Sequence, residues 1–114
     1  IQISRFAELA KSLGLSTLLE VHDREELERS FSPHLDVIGV NNRNLKDFSV
    51  SVETSLELAE IIPQEFLKIS ESAISDIATI NLLKDAGYNG FLIGENFMKT
   101  QNPGKAMKDF VALF

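Results

Sequence analysis

Short apolar segments alternate with longer amphipathic segments along this chain. The apolar segments cover residues 17–21, 37–40, 65–70 and 90–94 and are four to six residues long, which is the usual length of a β-strand. Hydrophobic side chains occupy both faces of each segment, as in strands that are covered on both sides. The pattern therefore predicts an α/β fold in which parallel strands alternate with helices.

Helical spacing and helix-end signals mark the first two amphipathic segments. In the first, apolar side chains recur at i, i+3, i+4 and i+7, at Phe6, Leu9, Ala10 and Leu13. They predict a helix that packs inward along one stripe and that Gly14 can end. Asp23 and Glu26 have the spacing of a capping box, which predicts a second helix running to about Phe31.

The third and fourth amphipathic segments carry comparable signals. Thr54 with Glu57 is a second possible capping box, for a helix that ends near Ile62 before Pro63. Ser75 can cap the helix after that. The residues of this helix expected to face inward are Ile77, Ile80 and Leu83.

An N-cap residue followed by proline marks the beginning of the last helix. Gly87 ends the preceding helix, and after the final apolar segment Asn102 can act as N-cap with Pro103 at the first helical position. Phe110 and Leu113 are expected on the apolar side of this terminal helix. The predicted order is thus one helix followed by four strand–helix units.

The length of the chain fits half of a TIM (β/α)8 barrel. Equivalent strand ends fall at Glu20, Asn41, Glu71 and Gly94, with spacings of 21, 30 and 23 residues. Because a complete barrel takes ~250 residues, residues 1–114 are expected to form one half-barrel domain, with strands five to eight of the barrel. A small open sheet of flavodoxin or dinucleotide-binding type is the alternative, which the absence of a Gly-x-Gly-x-x-Gly motif and of a Walker-type loop disfavours.

Composition limits the classes of partner and the cellular location to be expected. Seventeen acidic against 11 basic residues give a net charge of −6, which speaks against nucleic acid or an anionic membrane as a partner. No apolar run approaches the roughly 18 residues needed to cross a bilayer. The chain has no cysteine, so it has no thiolate nucleophile and no Cys-ligated metal, and a cytoplasmic location is expected.

Polar residues end all of the apolar segments. Val40 runs directly into Asn41, Asn42, Arg43 and Asn44. The other three ends carry Glu20, His22 and Asp23; Ser70, Glu71 and Ser72; and, after Gly94, Glu95 and Asn96. Burying such groups unpaired costs a few kcal/mol each, so they must face water, a partner or a ligand. Because the carboxyl ends of parallel strands form one rim where ligands bind, the four ends together predict a single binding site. Unrelated solvent-exposed loop starts are the alternative.

The chain also resembles a known enzyme family. The resemblance lies in the stretches LLEVHDREELE, IGVNNRNLKDFSV, ETSLELAEIIP, SESAI and FLIGENFM, which look like successive motifs of the carboxyl-terminal half of indole-3-glycerol phosphate synthase. The run IGVNNRNL is the most specific piece, since it follows the family pattern through eight successive residues. The resemblance extends nearly end to end, through all four strand–helix units.

The resemblance implies a (β/α)8 barrel enzyme of tryptophan biosynthesis. Such an enzyme converts 1-(2-carboxyphenylamino)-1-deoxyribulose 5-phosphate to indole-3-glycerol phosphate with loss of carbon dioxide and water. It uses no metal or organic cofactor, so acid–base chemistry and positioning have to supply the rate.

Roles at the first two rim segments follow from the same resemblance. Glu20 matches the catalytic carboxylate of the fifth barrel strand; an ion pair with a lysine in the barrel core is the alternative. Asn41 matches a catalytic amide that holds the ribulose hydroxyl. Arg43 matches a position near the anthranilate carboxylate, where a planar fork can orient that group, with a loop salt bridge as the alternative. Asn42 and Asn44 are expected to shape the turn.

The third and fourth rim segments are expected to bind the rest of the substrate. Glu71 matches a catalytic carboxylate that bonds a substrate hydroxyl or the catalytic lysine. Leu92 would line an apolar wall for the aromatic ring. The phosphate is expected beside the N-terminus of a short helix, on Ser72, Ala73, Gly94 and Glu95.

Ala73 departs from the family pattern, which usually has glycine after Glu-Ser. Glycine accepts a positive φ and lets the backbone approach a phosphate closely. If the turn requires a positive φ, alanine strains it by ~1 kcal/mol. If φ is negative, nothing is lost.

The two histidines are expected to be structural. His22 lies next to the predicted site, but a histidine at a strand end more often has a structural role, and His34 is expected in a surface loop. Two isolated histidines disfavour a metal site. A Ser-His-Asp triad around Ser72 is disfavoured because the chain has no nucleophile elbow.

The resemblance also implies catalytic groups that this sequence lacks. In the family, earlier strands carry a lysine that acts as general acid, another lysine for the substrate carboxylate, and a lid; Lys46 and Lys68 match neither lysine. The chain is therefore expected to be half of the synthase, inactive alone, with the amino-terminal half-barrel or a second copy of itself as partner. The alternatives are a non-catalytic self-associating half-barrel and another phosphate-binding barrel enzyme, such as phosphoribosylanthranilate isomerase.

Overall fold

A computed structural model describes residues 2–44, 47 and 49–114. Its helices are α1 Gln2–Ser12, α2 Arg24–Ser30, α3 Glu53–Ala59, α4 Ile77–Asp85, α5 Glu95–Met98 and α6 Pro103–Val111. Its strands are β1 Leu18–Val21, β2 Val37–Asn41, β3 Leu67–Glu71 and β4 Gly90–Leu92. None of the helices in these described ranges is long and apolar enough to cross a membrane.

The sheet has the topology of a barrel rather than that of a doubly wound fold. Over the described residues its strands lie in chain order, β1-β2-β3-β4, and each neighbouring pair is parallel. A flavodoxin-like or dinucleotide-binding sheet reverses its strand order next to the first strand instead. The prediction of half a (β/α)8 barrel is therefore confirmed.

The helices cover one face of the sheet. Side chains alternate between the two faces of a strand, and those on the covered face are buried in a core whose largest members include Val21, Ile38, Val40, Leu58, Ile80 and Leu83. The opposite face, which we call the inner face, carries Leu18, Leu67 and Leu92, and these are 47–55% exposed. The inner face is thus apolar and open to solvent in the described part of the chain.

Several predicted helix ends are confirmed. Asp23 and Asn102 each accept a hydrogen bond from the backbone amide three residues later, at the starts of α2 and α6. Gly14 and Gly87 follow α1 and α4 with φ of +77° and +111°. At these angles a Cβ would be strained, which is why glycine commonly ends helices.

The N-cap of α4 differs from the predicted Ser75. Asp76 occupies that position, and its carboxylate accepts a 2.7 Å hydrogen bond from the Thr79 amide. A carboxylate beside the first turn also interacts favourably with the positive end of the helix dipole, so the cap lies one residue later than predicted. Ile80 and Leu83 face the core as expected.

The capping box predicted from Thr54 is wrong. Helix α3 begins at Glu53, so Thr54 already lies in its first turn. Val52 is the N-cap and makes no side-chain capping bond, while the Ser51 hydroxyl accepts a 3.2 Å hydrogen bond from the Glu53 amide. The helix also ends earlier than predicted, at Ala59 rather than near Ile62.

Both terminal helices expose apolar side chains that were expected to pack inward. On α1 the buried residue is Ala7, while the predicted stripe points to solvent, with more than half of the surface exposed at Phe6, Leu9 and Leu13. Leu113 lies beyond the end of α6 and is also exposed. Phe110 is the inward residue of α6, in edge-to-face contact with Phe97.

Candidate active site

The carboxyl ends of the strands bring the predicted site residues to one rim. Strands β2, β3 and β4 pair so that Asn41, Glu71 and Leu92 lie side by side across the sheet. Glu20 lies one layer below, in register with Gly39. All of these residues are on the inner face, because their chain neighbours point into the core beneath the helices.

A chain of hydrogen bonds joins four of the predicted residues. Asn41 Nδ2 donates to Glu20 Oε1 over 3.1 Å, and Asn41 Oδ1 accepts from the Ser72 hydroxyl over 2.9 Å. The backbone amide of Arg43 donates to the same Oδ1 over 3.0 Å. The amide group of Asn41 is therefore fixed in orientation, and the second hydrogen on Nδ2 is available for a ligand hydroxyl.

Glu71 is buried at the rim beside Glu20. It is 7% exposed, and burial together with the neighbouring Glu20 carboxyl raises the pKa of Glu71 to about 7. A hydrogen bond between two carboxyl groups requires a proton on one of them, and the more buried group loses more hydration when it ionises. Near neutral pH Glu71 can thus hold or release a proton, as general acid–base catalysis requires.

A cleft of about 610 Å³ opens next to this pair of carboxyl groups. Glu71 and Leu92 lie in its wall. The residues predicted to bind phosphate also line it, namely Ser72, Ala73, Gly94 and Glu95. The structure therefore brings the predicted acid–base, apolar and phosphate-binding residues to one place.

Ala73 adopts the backbone conformation that would favour glycine. The φ angles of Ser72 and Ala73 are +70° and +61°, in the left-handed region that costs a residue with a Cβ roughly 1–2 kcal/mol. The departure from the family pattern at this position is therefore a source of strain in the turn.

Arg43 forms an ion pair across the cleft. Its Nη2 lies 2.6 Å from Glu95 Oε2 and links the segment after β2 to α5. Its Nε is buried and has no hydrogen-bond partner among the described residues. The salt bridge considered as an alternative for Arg43 is thus present, and binding of the anthranilate carboxylate stays a prediction.

Asn42 supports the rim from the core side. Its Oδ1 accepts hydrogen bonds from the Ser55 amide and hydroxyl, and its Nδ2 donates to Ser70 Oγ and to the Ser72 carbonyl, over 2.7–3.2 Å. The Tyr88 hydroxyl donates to the Ser55 carbonyl, and burial raises the pKa of Tyr88 to about 12. Asn42 shapes the turn as expected, but it does so by hydrogen bonding.

Sequence reasoning missed three contributors to the site. Gly39 allows the Glu71 carboxyl to lie against β2, since a Cβ on residue 39 would collide with it; a glycine inside an apolar strand often marks such a close approach. Glu26 was assigned to the helix cap, yet its side chain holds the His22 ring. Lys99 lines the cleft, and its place just after the fourth strand end was the available signal.

Of the two lysines considered in the sequence, the structure describes Lys68. Lys68 is buried and precedes the rim by three residues on β3, and Lys46 lies outside the described residues. No group of three or more His, Asp or Glu side chains that could hold a metal occurs in the part of the chain that the structure describes.

Comparison with known proteins agrees with the sequence motifs. The model of the family described as indole-3-glycerol phosphate synthase matches residues 2–110. This chain belongs to the indole-3-glycerol phosphate synthase family. The match extends from α1 into α6, so every residue of the rim and of the cleft lies inside it.

Curated relatives are indole-3-glycerol phosphate synthases of bacteria. The protein from Bacteroides thetaiotaomicron is 49% identical over 105 residues, which cover 92% of this chain and 40% of that protein. The Koribacter versatilis protein is 46% identical over 102 residues, covering 90% and 39%. The protein from an Acidovorax species is 40% identical over 110 residues, covering 96% and 41%. The chain spans about two fifths of the length of these synthases.

Proposed function

We propose that this chain supplies the carboxyl-terminal half of the active site of a cytoplasmic indole-3-glycerol phosphate synthase. The proposed reaction converts 1-(2-carboxyphenylamino)-1-deoxyribulose 5-phosphate to indole-3-glycerol phosphate, carbon dioxide and water, as a step of tryptophan biosynthesis. The observation that carries the proposal is the hydrogen-bonded convergence of Glu20, Asn41 and Ser72 with Glu71 beside a single cleft.

Glu20 and Glu71 are the proposed acid–base groups. Closing the indole ring joins an aromatic carbon to the ribulose carbonyl carbon, whose oxygen takes up a proton; carbon dioxide leaves, and the new hydroxyl departs as water. Ring closure and the departure of water each take up a proton, and the neighbouring ribulose-derived carbon loses one as the double bond of the new ring forms; the loss of carbon dioxide moves no proton. Two carboxyl groups that share one proton can donate it and later accept another, and the pKa of about 7 at Glu71 suits that exchange.

Asn41, Leu92 and Arg43 are proposed to orient the substrate. The fixed amide of Asn41 would donate to a ribulose hydroxyl, and the exposed Leu92 side chain would pack on the aromatic ring. Because Glu95 already occupies Nη2 of Arg43, the guanidinium would bind the substrate carboxylate through its other terminal nitrogen, or after Glu95 moves.

The cleft is proposed to hold the phosphate group. The backbone amides of Ala73, Gly94 and Glu95 are donors of the kind that bind phosphate in barrel enzymes, and the Ser72 hydroxyl would join them by turning away from Asn41. Lys99 lines the same cleft and would add a positive charge to a chain whose net charge is negative.

The other catalytic groups are proposed to come from an amino-terminal half-barrel. The relatives are more than twice as long as this chain, and a barrel leaves no strand edge exposed. The surfaces that such a half would cover are the inner face, with its exposed leucines, and the apolar stripe of α1. The chain alone is then inactive.

A non-catalytic self-associating half-barrel is the second candidate, and the exposed inner face favours it. Two copies related by a two-fold axis would cover each other's leucines. Leu67→Glu would then convert a dimer to monomers in sedimentation, whereas Leu82→Glu, on the exposed side of α4, would not.

Formation of indole-3-glycerol phosphate tests both candidates. The assay compares this chain, an amino-terminal half-barrel, and a mixture of the two, and we expect product in the mixture alone. In the mixture, Glu20→Gln should lower kcat roughly 10²–10⁴-fold, and the control Glu57→Gln, at an exposed position of α3, should leave it unchanged. Activity of this chain by itself would refute the proposed division of catalytic groups, and an inactive mixture would favour the second candidate.

A further inference from the structure

His22 makes contacts that none of the proposed roles uses. Its Nδ1 lies 3.0 Å from Glu26 Oε2, and its backbone amide donates to the same oxygen over 3.0 Å. At the other end of the ring, Nε2 is buried and has no hydrogen-bond partner among the described residues. That nitrogen lies 3.6 Å from Glu20 Oε1. Glu26 thus holds the residue at two points and directs its unpaired nitrogen at Glu20.

We propose that His22, anchored by Glu26, is a positioning residue that stabilises negative charge on Glu20 and so keeps the proton shared by the two carboxyl groups on Glu71. The proposal rests on the proposed function for its catalytic meaning, since it decides which of the two carboxyl groups begins the reaction as the acid. The charge contact itself is a property of this chain alone.

The chemistry of the ring supports an ionic role. Each end of the imidazole faces a carboxylate oxygen, and the ring can present a hydrogen to both oxygens only when both of its nitrogens carry one. The 3.6 Å separation from Glu20 is longer than a hydrogen bond, so the contact acts through charge. His22 therefore differs from a histidine that merely fills space at the end of a strand.

The His22 ring acts differently on the carboxyl groups of Glu20 and Glu71. It makes an ionic contact with Glu20, and in the described part of the chain it makes none with Glu71. The charge of His22 also lowers the pKa of Glu71, but burial and the Glu20 carboxyl raise that pKa by more. The other charged groups nearby are Glu26 behind the ring and, around the cleft, Arg43, Glu95 and Lys99. A cation beside Glu20 favours its ionised form more than that of Glu71.

The decisive measurement is the titration of the Glu20 and Glu71 carboxyl carbons by NMR in the 114-residue chain. His22→Gln keeps a side chain with an N–H donor but removes the charge, so the shared proton should move toward Glu20. We then expect the Glu20 carbon to take over part of the titration step that Glu71 shows near neutral pH. The matched control is His34→Gln, in the loop after α2, which should leave that step on Glu71. A step that stays wholly on Glu71 in His22→Gln, even with a lower melting temperature, would mean a purely structural histidine and would overturn the proposal.

Glu26→Gln provides a second route if His22→Gln does not fold. Removing the Glu26 charge would by itself favour the ionised form of Glu20, so movement of the shared proton to Glu20 can come only from a ring that no longer supports Glu20. We expect part of the titration step near neutral pH to move from Glu71 to Glu20 in Glu26→Gln, and no change in Glu28→Gln, which breaks an exposed ion pair with Arg24 on the same helix. A step that stays wholly on Glu71 in Glu26→Gln would reject the anchoring role.

The titration and the enzyme assay can fail independently of each other. The location of the shared proton is measured without catalysis, so it can change as expected even if the mixture of half-barrels forms no product. If the mixture is active, His22→Gln should lower kcat about tenfold with little change in KM, and should shift the pH profile of kcat, because less of the enzyme then starts with the proton on Glu71. An unshifted profile would contradict the proposed effect on the acid.

Discussion

The Oε2 atom of Glu71 lies so close to Gly39 that a Cβ on residue 39 would collide with it, so Gly39 and Glu71 are fitted to each other. Glycine lets the carboxyl group lie directly against the backbone of β2, where it is buried beside Glu20. The same Oε2 has no hydrogen-bond partner among the described residues. The raised pKa of Glu71 therefore depends on a missing side chain on the neighbouring strand as well as on the glutamate itself.

Gly39→Ala is expected to displace the Glu71 carboxyl. The free energy of unfolding should change by less than about 1 kcal/mol, because the atom in the way is the end of a flexible side chain and alanine stiffens the unfolded chain. The pKa of Glu71 should fall from about 7 toward its ordinary value as the carboxyl reaches solvent. NMR titration measures the pKa, and urea unfolding measures the stability.

Gly90→Ala is the matched control for this substitution. Gly90 lies in the same layer of the inner face, two strands from Gly39. A Cβ there would meet Ile69 Cγ1 at 3.7 Å, an ordinary contact. Gly90→Ala should leave the Glu71 titration in place, and an equal shift in both variants would show that the close fit at Gly39 is not what holds Glu71.

The free energy of unfolding should fall as pH rises from about 5 to about 8. Glu71 has a pKa of about 7 when folded, against an ordinary value of 4.5, so between these values the folded chain binds more protons than the unfolded chain. The stabilisation is fully present below the unfolded pKa and is lost as pH rises through the folded one. We expect a loss on the order of 1 kcal/mol after allowance for solvent screening.

Urea unfolding of Glu71→Gln across the same pH range tests whether Glu71 causes this slope of the free energy of unfolding against pH. The variant should lose most of it, whereas Glu57→Gln should retain it. Asp47 and Asp76 have lowered pKa values, so their contributions are lost only in more acidic solution, outside this range. A slope that is as steep in Glu71→Gln as in the original chain would rule out Glu71 as its source.

Ala73→Gly should stabilise the chain by about 0.5–1 kcal/mol. The φ of +61° at Ala73 strains alanine but not glycine, and the gain exceeds the extra entropy that glycine loses on folding. Ala86→Gly is the control, since Ala86 has a φ of −77° at the end of α4 and should gain nothing. Thermal or urea unfolding measures both, and a destabilised Ala73→Gly would argue against strain at this turn.

Asn42→Ala should lower the free energy of unfolding by about 2–4 kcal/mol. Asn42 satisfies groups of Ser55, Ser70 and Ser72 in the core, and its loss leaves several buried polar atoms without partners. Asn81→Ala, at an exposed position of α4, should be neutral or slightly stabilising because alanine favours helix. Chemical denaturation measures the difference, and a loss below about 1 kcal/mol would mean that water replaces the side chain.

The helix ends illustrate how local prediction succeeds and fails. Asp23 and Asn102 were predicted correctly because a capping side chain and the amide it binds are three residues apart in the sequence. The start of α3 was missed because residues from a different strand fix the chain there. The Ser51 amide donates to the Asn42 carbonyl, which brings the chain into the helix one residue before Thr54.

The order of elements and the residues gathered at one rim were determined by the sequence itself. Periods of two and 3.6 residues are local properties, and parallel strands bring their carboxyl ends together whatever the details of packing. The tertiary structure alone decided which side chains make contact and which are exposed. Examples are the contact of Glu71 with Gly39, the contact of Glu26 with His22 and the exposure of Phe6. Such contacts depend on the register between strands and on side-chain directions, which residues distant in the chain set together.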